Sequence, residues 1–232
     1  WRRDPTRTRG VSSTWVAVAG FPVTTTSATV YENGTVADLA ADVEVCVVGT
    51  LDANGVLVAT RIRFHVESNV RIVSEVSAID LANDRLTVLG LQVTTDRNTR
   101  FEDESAADVE PFSLDGLHTG DWVDVRGYEY PADSGKVLAT RIERIDDLAA
   151  NEHRMRGPFR NPDRPDFDIL TVAVRTTDDT LFRQESVPGE PSVKLEPAAF
   201  FALPEESLVE ARGTWSGTVL TAEYAILKTC DD

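Results

Sequence analysis

The chain has 232 residues, 41% of them hydrophobic and 27% charged, the balance of an ordinary globular protein rather than a disordered one. No apolar run approaches the ~20 residues that a membrane-spanning helix needs, so no membrane span is expected. The formal net charge is −16, and an acidic body repels phosphate backbones and anionic headgroups, which argues against nucleic acid as a partner.

The charge is uneven along the chain. Residues 1–14 form a basic arm in which Arg2, Arg3, Arg7 and Arg9 stand against Asp4, a net of +3 that leaves −19 for the remainder. Pro5 favours extended backbone there, and no apolar periodicity marks the arm for burial. The chain begins at Trp1 rather than Met, which suggests that a leader is absent from this numbering. Two cysteines, Cys46 and Cys230, fit an exported protein carrying one disulfide, within one chain or between chains.

Beyond the arm the sequence repeats itself. The first block reads Val43-Glu-Val-Cys-Val-Val-Gly49, a turn at Asn54-Gly55, then Val56-Leu57-Val58-Ala59-Thr60-Arg61-Ile62. The second reads Trp122-Val-Asp-Val-Arg-Gly127, a turn at Ser134-Gly135, then Val137-Leu138-Ala139-Thr140-Arg141-Ile142. The third reads Leu208-Val-Glu-Ala-Arg-Gly213, a turn at Ser216-Gly217, then Val219-Leu220-Thr221-Ala222. Leu39, Leu117 and Leu203 each precede the shared glycine by ten positions. Upstream, Val23-Thr24-Thr25 with Thr29-Val30-Tyr31 corresponds to Val93-Thr94-Thr95 with Thr99-Arg100-Phe101, and to Arg175-Thr176-Thr177 with Thr180-Leu181-Phe182.

Short alternating strands between Gly, Asn and Asp turns predict an all-β fold of three tandem small barrels. The modules are 15–67, which is shortened, 68–148 and 149–232. Strict alternation about the glycine points Val45, Val47, Val123, Val125, Val209 and Ala211 into the cores. Helix-permissive segments fall at Glu104 to Val109 and Glu196 to Leu203, with Pro197 suited to a first helical position. A strand-strand-strand-helix-strand-strand order is that of an OB-like barrel. Cys46 occupies the position of Asp124 and Glu210 in the repeat, so it is expected to point outward.

The pattern V-x-V-x-G, a glycine hairpin, then L-x-A-x-x-I resembles a family of exported bacterial domains of unknown function with tandem OB-like barrels. Val123-Asp-Val-Arg-Gly127 with Leu138-Ala139-Thr140-Arg141-Ile142 carries it best. The resemblance covers about residues 70–146 fully, 154–228 well and 15–64 partly. It implies the fold and export, and it transfers no catalytic residue.

The candidate chemistry is sparse. His65, His118 and His153 have no partner at metal-ligand spacing and no nucleophile elbow is present, so no enzyme and no cofactor are expected. Asp163, Asp166 and Asp168 gather in a segment that reads as a hairpin loop, where convergent oxygens suit a hard cation, although a polar turn stiffened by prolines explains them as well. Glu102, Asp103, Glu104 and Asp108 read as a solvated acidic helix face. Trp122, Tyr128 and Tyr130 could stack a glycan on a strand face or pack between neighbouring modules. Asn33-Gly34-Thr35 has the form of a glycosylation acceptor without consequence in a bacterial protein, and the Thr24 to Thr29 run reads as strand.

These observations point to a secreted or periplasmic structural or interaction protein that associates with itself or with other envelope components. An exported glycan- or metal-binding module is the alternative. The first module begins at the second strand of the pattern, the counterpart of Arg71 to Ile79 being missing or reduced to the stretch around Arg9-Gly10-Val11. A barrel short of a strand is a template for another chain, and the basic arm is the expected donor for head-to-tail assembly into a filament.

Overall fold

The computed structural model describes residues 15–18, 21–32, 35–40, 43, 45–64, 68–149, 152–185 and 192–228. They belong to two compact units, residues 1–66 and 67–232. The first unit contains β1 (Trp15–Val18), β2 (Phe21–Thr24), β3 (Val30–Glu32), a 3-10 turn at Val36–Asp38, β4 (Val45–Leu51) and β5 (Leu57–Phe64). Antiparallel pairs β1–β2 and β4–β5 are tied together by β2 and β3, which both run parallel to β5. The five strands form an open sheet among the described residues. Val23, Leu39, Ala59, Ile62 and Phe64 make its core, with Val45 and Val47 packed against them.

The second unit is a single 12-stranded sheet that closes twice. Its first barrel uses β6 (Val70–Asp80), β7 (Arg85–Val88), β8 (Leu91–Thr94), β9 (Arg100–Asp103), β10 (Trp122–Glu129) and β11 (Val137–Ile145). Pairing runs β6–β7–β8–β11–β10 and returns to β6, while β9 lies beside β11. The second barrel uses β12 (His153–Asp163), β13 (Asp166–Ile169), β14 (Val172–Gln184), β15 (Val193–Lys194), α1 (Pro197–Phe201), β16 (Leu208–Trp215) and β17 (Val219–Leu227). It closes in the same way, β12–β13–β14–β17–β16 and back to β12. This circuit is the one expected of an OB-like barrel. Val123, Val125, Val209 and Ala211 are 0% exposed, as the alternation about the glycines predicts.

The repeated residues have a common mechanical purpose. At Gly49, Gly127 and Gly213 the pairing register shifts by a bulge, and the carbonyl oxygen of the facing strand comes so close that a Cβ would sit 2.2, 2.3 and 2.0 Å from it. The repeated threonine locks the same strand from its other side. Thr29, Thr99 and Thr180 donate through Oγ1 to the carbonyls of Ala59, Ala139 and Ala222 at 2.7, 2.8 and 2.7 Å. Each also accepts the amide of Thr26, Asp96 or Thr177. Thr25 to Thr29 is therefore a turn between β2 and β3 rather than a continuous strand.

The Glu196 segment forms α1 with Pro197 at its start, and it inserts Phe200 among Phe159, Phe167 and Phe182 at ring-centroid distances of 5.2–5.4 Å. The Glu104 segment does not become a helix. Asp103 captures the amides of Ser105 and Val109 at 3.2 and 2.7 Å, which folds the backbone into a loop, and a 3-10 turn at Leu114–Gly116 plugs this barrel instead. Asp103 is consequently no solvated residue: its side chain is fully buried against Arg144.

The two barrels of the second unit are not merely side by side. The front half of β6 pairs antiparallel with the front half of β12, placing Arg71 opposite Arg156, Ile72 opposite Met155 and Val73 opposite Arg154. Val70 faces Gly127 and His153 faces Gly213, so Ile72 and Met155 are equivalent positions of the repeat. The junction is thus a two-fold-like pairing of first strands, and both barrels share one hydrophobic core.

Candidate functional site

The outward row of β10 and β16 meets this junction, and that overturns one expectation. Asp124 and Glu210, expected on the surface, are 6% and 4% exposed. Asp124 takes Nε and Nη2 of Arg71 at 3.0 and 2.6 Å, which raises the arginine pKa further, and Glu210 is paired with Arg212. Arg156, 2% exposed, donates to the Ser68 carbonyl at 3.1 Å. Buried charge is tolerated only when paired in this manner.

Trp122 is not part of a ligand face either. It is 3% exposed and stacks on His153, with centroids 4.9 Å apart. His153 Nδ1 in turn lies 2.8 Å from Ser74 Oγ, and burial lowers its pKa while Glu75 opposes that. Tyr128 is half-buried and Tyr130 is exposed, the two rings meeting edge to face at 6.3 Å. With Trp122 enclosed between the barrels, a single fully open ring remains, too little for a stacking platform.

The three loop carboxylates are brought into one hairpin but not onto one point. Asp166 is held by Arg175 at 2.8 and 2.9 Å, which keeps its carboxyl below the usual range. Asp168 accepts from Asn161 at 2.8 Å, and Asp163 pairs with Asp166 only through the strand register. A convergence the sequence did not reveal is Glu102, Glu104 and Glu143, whose oxygens lie within 4.8 Å of one another. They come from β9, the loop after it and β11, about forty positions apart, so no spacing could have signalled them. Arg100 and Arg141 already pair with Glu102, and Arg141 with Glu143. His118 is exposed, 3.8 Å from Asp121, and His65 lies outside the described residues.

What distinguishes the first unit is β4. Its counterparts are bonded on both sides, β10 by β11 and β6, and β16 by β17 and β12. Among the described residues β4 pairs with β5 alone. The strand reads VCVVGTL and has no charge, where β10 reads WVDVRGYE and β16 reads LVEARGTW. Val48 and Leu51 are 55% and 67% exposed. Cys46 is exposed and its thiol is free. Its expected partner Cys230 lies outside the described residues, as do Arg2, Arg3, Arg7 and Arg9 and the Asn33-Gly34 site.

No curated protein matches the chain. The sequence pattern of the family described as "Domain of unknown function (DUF5666)" matches residues 8–63 and 74–143, thereby covering the first unit and the first barrel of the second. Those matches span more than half of the chain, and the protein belongs to the DUF5666 family.

Proposed function

We propose that this protein is a non-enzymatic structural or interaction protein of the cell exterior, which associates with copies of itself through its first unit. The observation that carries the reading is the uncharged β4 edge, since soluble proteins ordinarily protect such edges with charges, bulges or a covering element. Strand addition to an open edge gives affinity through main-chain hydrogen bonds. An acidic body supplies long-range repulsion that keeps such subunits soluble until the edges meet.

A hydrolytic reading has little support. Ser74 and His153 are in contact, but they are 1% and 7% exposed behind Trp122, where no substrate reaches them. The alternative of a glycan- or metal-binding module loses its main supports in the enclosure of Trp122 and the pairing of Asp166 with Arg175.

The test is the mass of the purified full chain by light scattering over a concentration series, with negative-stain microscopy of the same samples. Dimers, larger oligomers or filaments support the reading. A monomer at every concentration removes it.

A further inference from the structure

Independently of self-association through the first unit, we infer that the outer edge of β9 in the second unit is a docking site for an extended basic peptide of a partner protein, which adds to the sheet as one more antiparallel strand. The chain contains its own precedent for this joint. In the second barrel the outer half of β14, Leu181 to Gln184, is flanked by β17 on one side. The short strand β15 flanks it on the other, with Arg183 opposite Lys194 and Gln184 opposite Val193. In the first barrel β9 is the equivalent segment, Phe101 standing for Phe182 in the repeat. Among the described residues it pairs with β11 alone. Chain length accounts for the difference. Leu117 follows Asp103 by 14 positions, whereas Leu203 follows Gln184 by 19, and the shorter connection is turned back at once, because Asp103 Oδ2 takes the Val109 amide at 2.7 Å.

The backbone of β9 is oriented for such an addition. Glu104 donates its amide to the Arg144 carbonyl at 2.8 Å, as Glu185 does to the Leu227 carbonyl. Successive residues of a strand turn their backbone groups to opposite sides, so the amides and carbonyls of Phe101 and Asp103 point to the outer edge. At the same place in the second barrel, the Phe182 carbonyl accepts the Leu195 amide at 3.0 Å. Beside the β9 edge lies a cleft of about 660 Å³, lined by Arg100 to Glu104 and by Asp108 to Phe112. Its volume falls within the ~300–1,000 Å³ of ligand sites.

The lining selects the occupant. Glu104, Asp108 and Glu110 are exposed, and Glu104 shares a 4.8 Å cluster with Glu102 and Glu143, a crowding of like charge that a cationic side chain relieves. Phe101, half-buried, and Val109, 45% exposed, supply apolar surface. A guest laid in the register of β15 places one side chain beside Phe101, as Leu195 packs against the core beside Phe182. Its outward side chains then stand opposite Glu102 and Glu104, so the pattern that fits alternates basic with apolar residues. Main-chain bonds to Phe101 and Asp103 supply affinity, and a protein of net charge −16 attracts a basic segment at long range.

The experiment titrates the full chain with the end-blocked peptide Lys-Val-Lys-Leu-Ser, whose lysines meet Glu104 and Glu102, followed by calorimetry and by NMR of the protein amides. Binding with a dissociation constant below ~1 mM is expected, with the largest amide shifts at Phe101, Asp103 and Glu104. N-methylation of the leucine removes the donor that meets the Phe101 carbonyl and should weaken binding about tenfold or more. The acidic counterpart Glu-Val-Glu-Leu-Ser should not bind. Glu104→Lys should weaken binding of the basic peptide about tenfold, with circular dichroism and melting unchanged because the side chain is exposed. Equal binding of the methylated or the acidic peptide, shifts centred elsewhere, or no binding at millimolar peptide would overturn the proposal. Oligomers of the chain itself that dissociate in Glu104→Lys would make a second copy the occupant and overturn it as well.

Discussion

A methyl group on Gly213 would meet the Thr221 carbonyl oxygen at 2.0 Å, whereas one on Gly217 meets nothing within 4 Å but must sit at φ +95°. The two glycines therefore answer to different physics, steric exclusion by a neighbouring strand in one case and backbone preference in the other. Gly213→Ala should cost the second unit ~3 kcal/mol or more, because the obstacle is backbone and has no rotamer to move into. Gly217→Ala should cost ~1–2 kcal/mol. Urea unfolding of the two variants checks the order, and equal losses would count against the bulge explanation. The threonines behave comparably. Thr180→Val keeps the shape of the side chain but leaves the Ala222 carbonyl without its donor and the Thr177 amide without its acceptor. A loss of ~1–3 kcal/mol is expected in the same assay, with Thr180→Ser restoring most of it. Both residue types were visible in the sequence as recurrences from one repeat to the next, Gly49, Gly127 and Gly213 and Thr29, Thr99 and Thr180. What they do was not, because a bulge and a side chain bonded to a distant carbonyl leave no local pattern.

At the scale of elements, strands were legible and loops were not. Period-2 alternation identifies β10, β11, β16 and β17 and their inward residues, since a one-residue slip would expose the apolar set. The Glu104 to Val109 loop has helix-compatible residues, yet Asp103 offers its backbone amides a better acceptor than a helix would. Asp103 also receives Nε of Arg144 at 2.9 Å and the hydroxyl of Ser105 at 2.6 Å. Arg144 above all, then Ser105 and the loop amides, hold its carboxyl well below the usual carboxylate range. Because the folded value is depressed, the carboxylate contributes stability that is present above the unfolded pKa of ~4 and is lost as pH falls below it. Asp103→Asn keeps the shape but strands the Arg144 charge, with a side chain only 15% exposed, so a loss of ~3 kcal/mol at pH 7 is expected. The difference between parent and variant in denaturant unfolding should shrink when both are measured below pH 4. A difference that stays constant with pH would mean that the carboxylate charge is not what anchors the loop.

At the scale of the whole chain, the feature the sequence concealed is the joint inside the second unit. Alternating charges such as Asp124 and Arg126 look like a solvent face until a second barrel is laid against them, and only the edge pairing of β6 with β12 turns them into an interior. In the first unit the counterpart of Arg71 to Ile79 falls outside the described residues, and what the fold adds is that among the described residues β4 pairs with β5 alone. The joint has a pH dependence of its own, centred on His153. The ring is enclosed by Trp122 on β10 and by Ser74 on β6, with Glu75 the nearby charge. Burial dominates and favours the neutral imidazole, so the folded pKa lies below the unfolded value of ~6.5. Between those two values the unfolded chain binds more protons than the folded one, and stability accordingly rises with pH through that window and falls as the solution is acidified through it. His118 is exposed and does not share this enclosure. The second unit should therefore be less stable at pH 5 than at pH 7, and His153→Phe, which retains a ring against Trp122, should flatten the slope between them. Proton NMR of the His153 ring supplies the direct measurement: a midpoint under 6.5 is expected, and a midpoint above 7 would show that Glu75 rather than burial governs the joint.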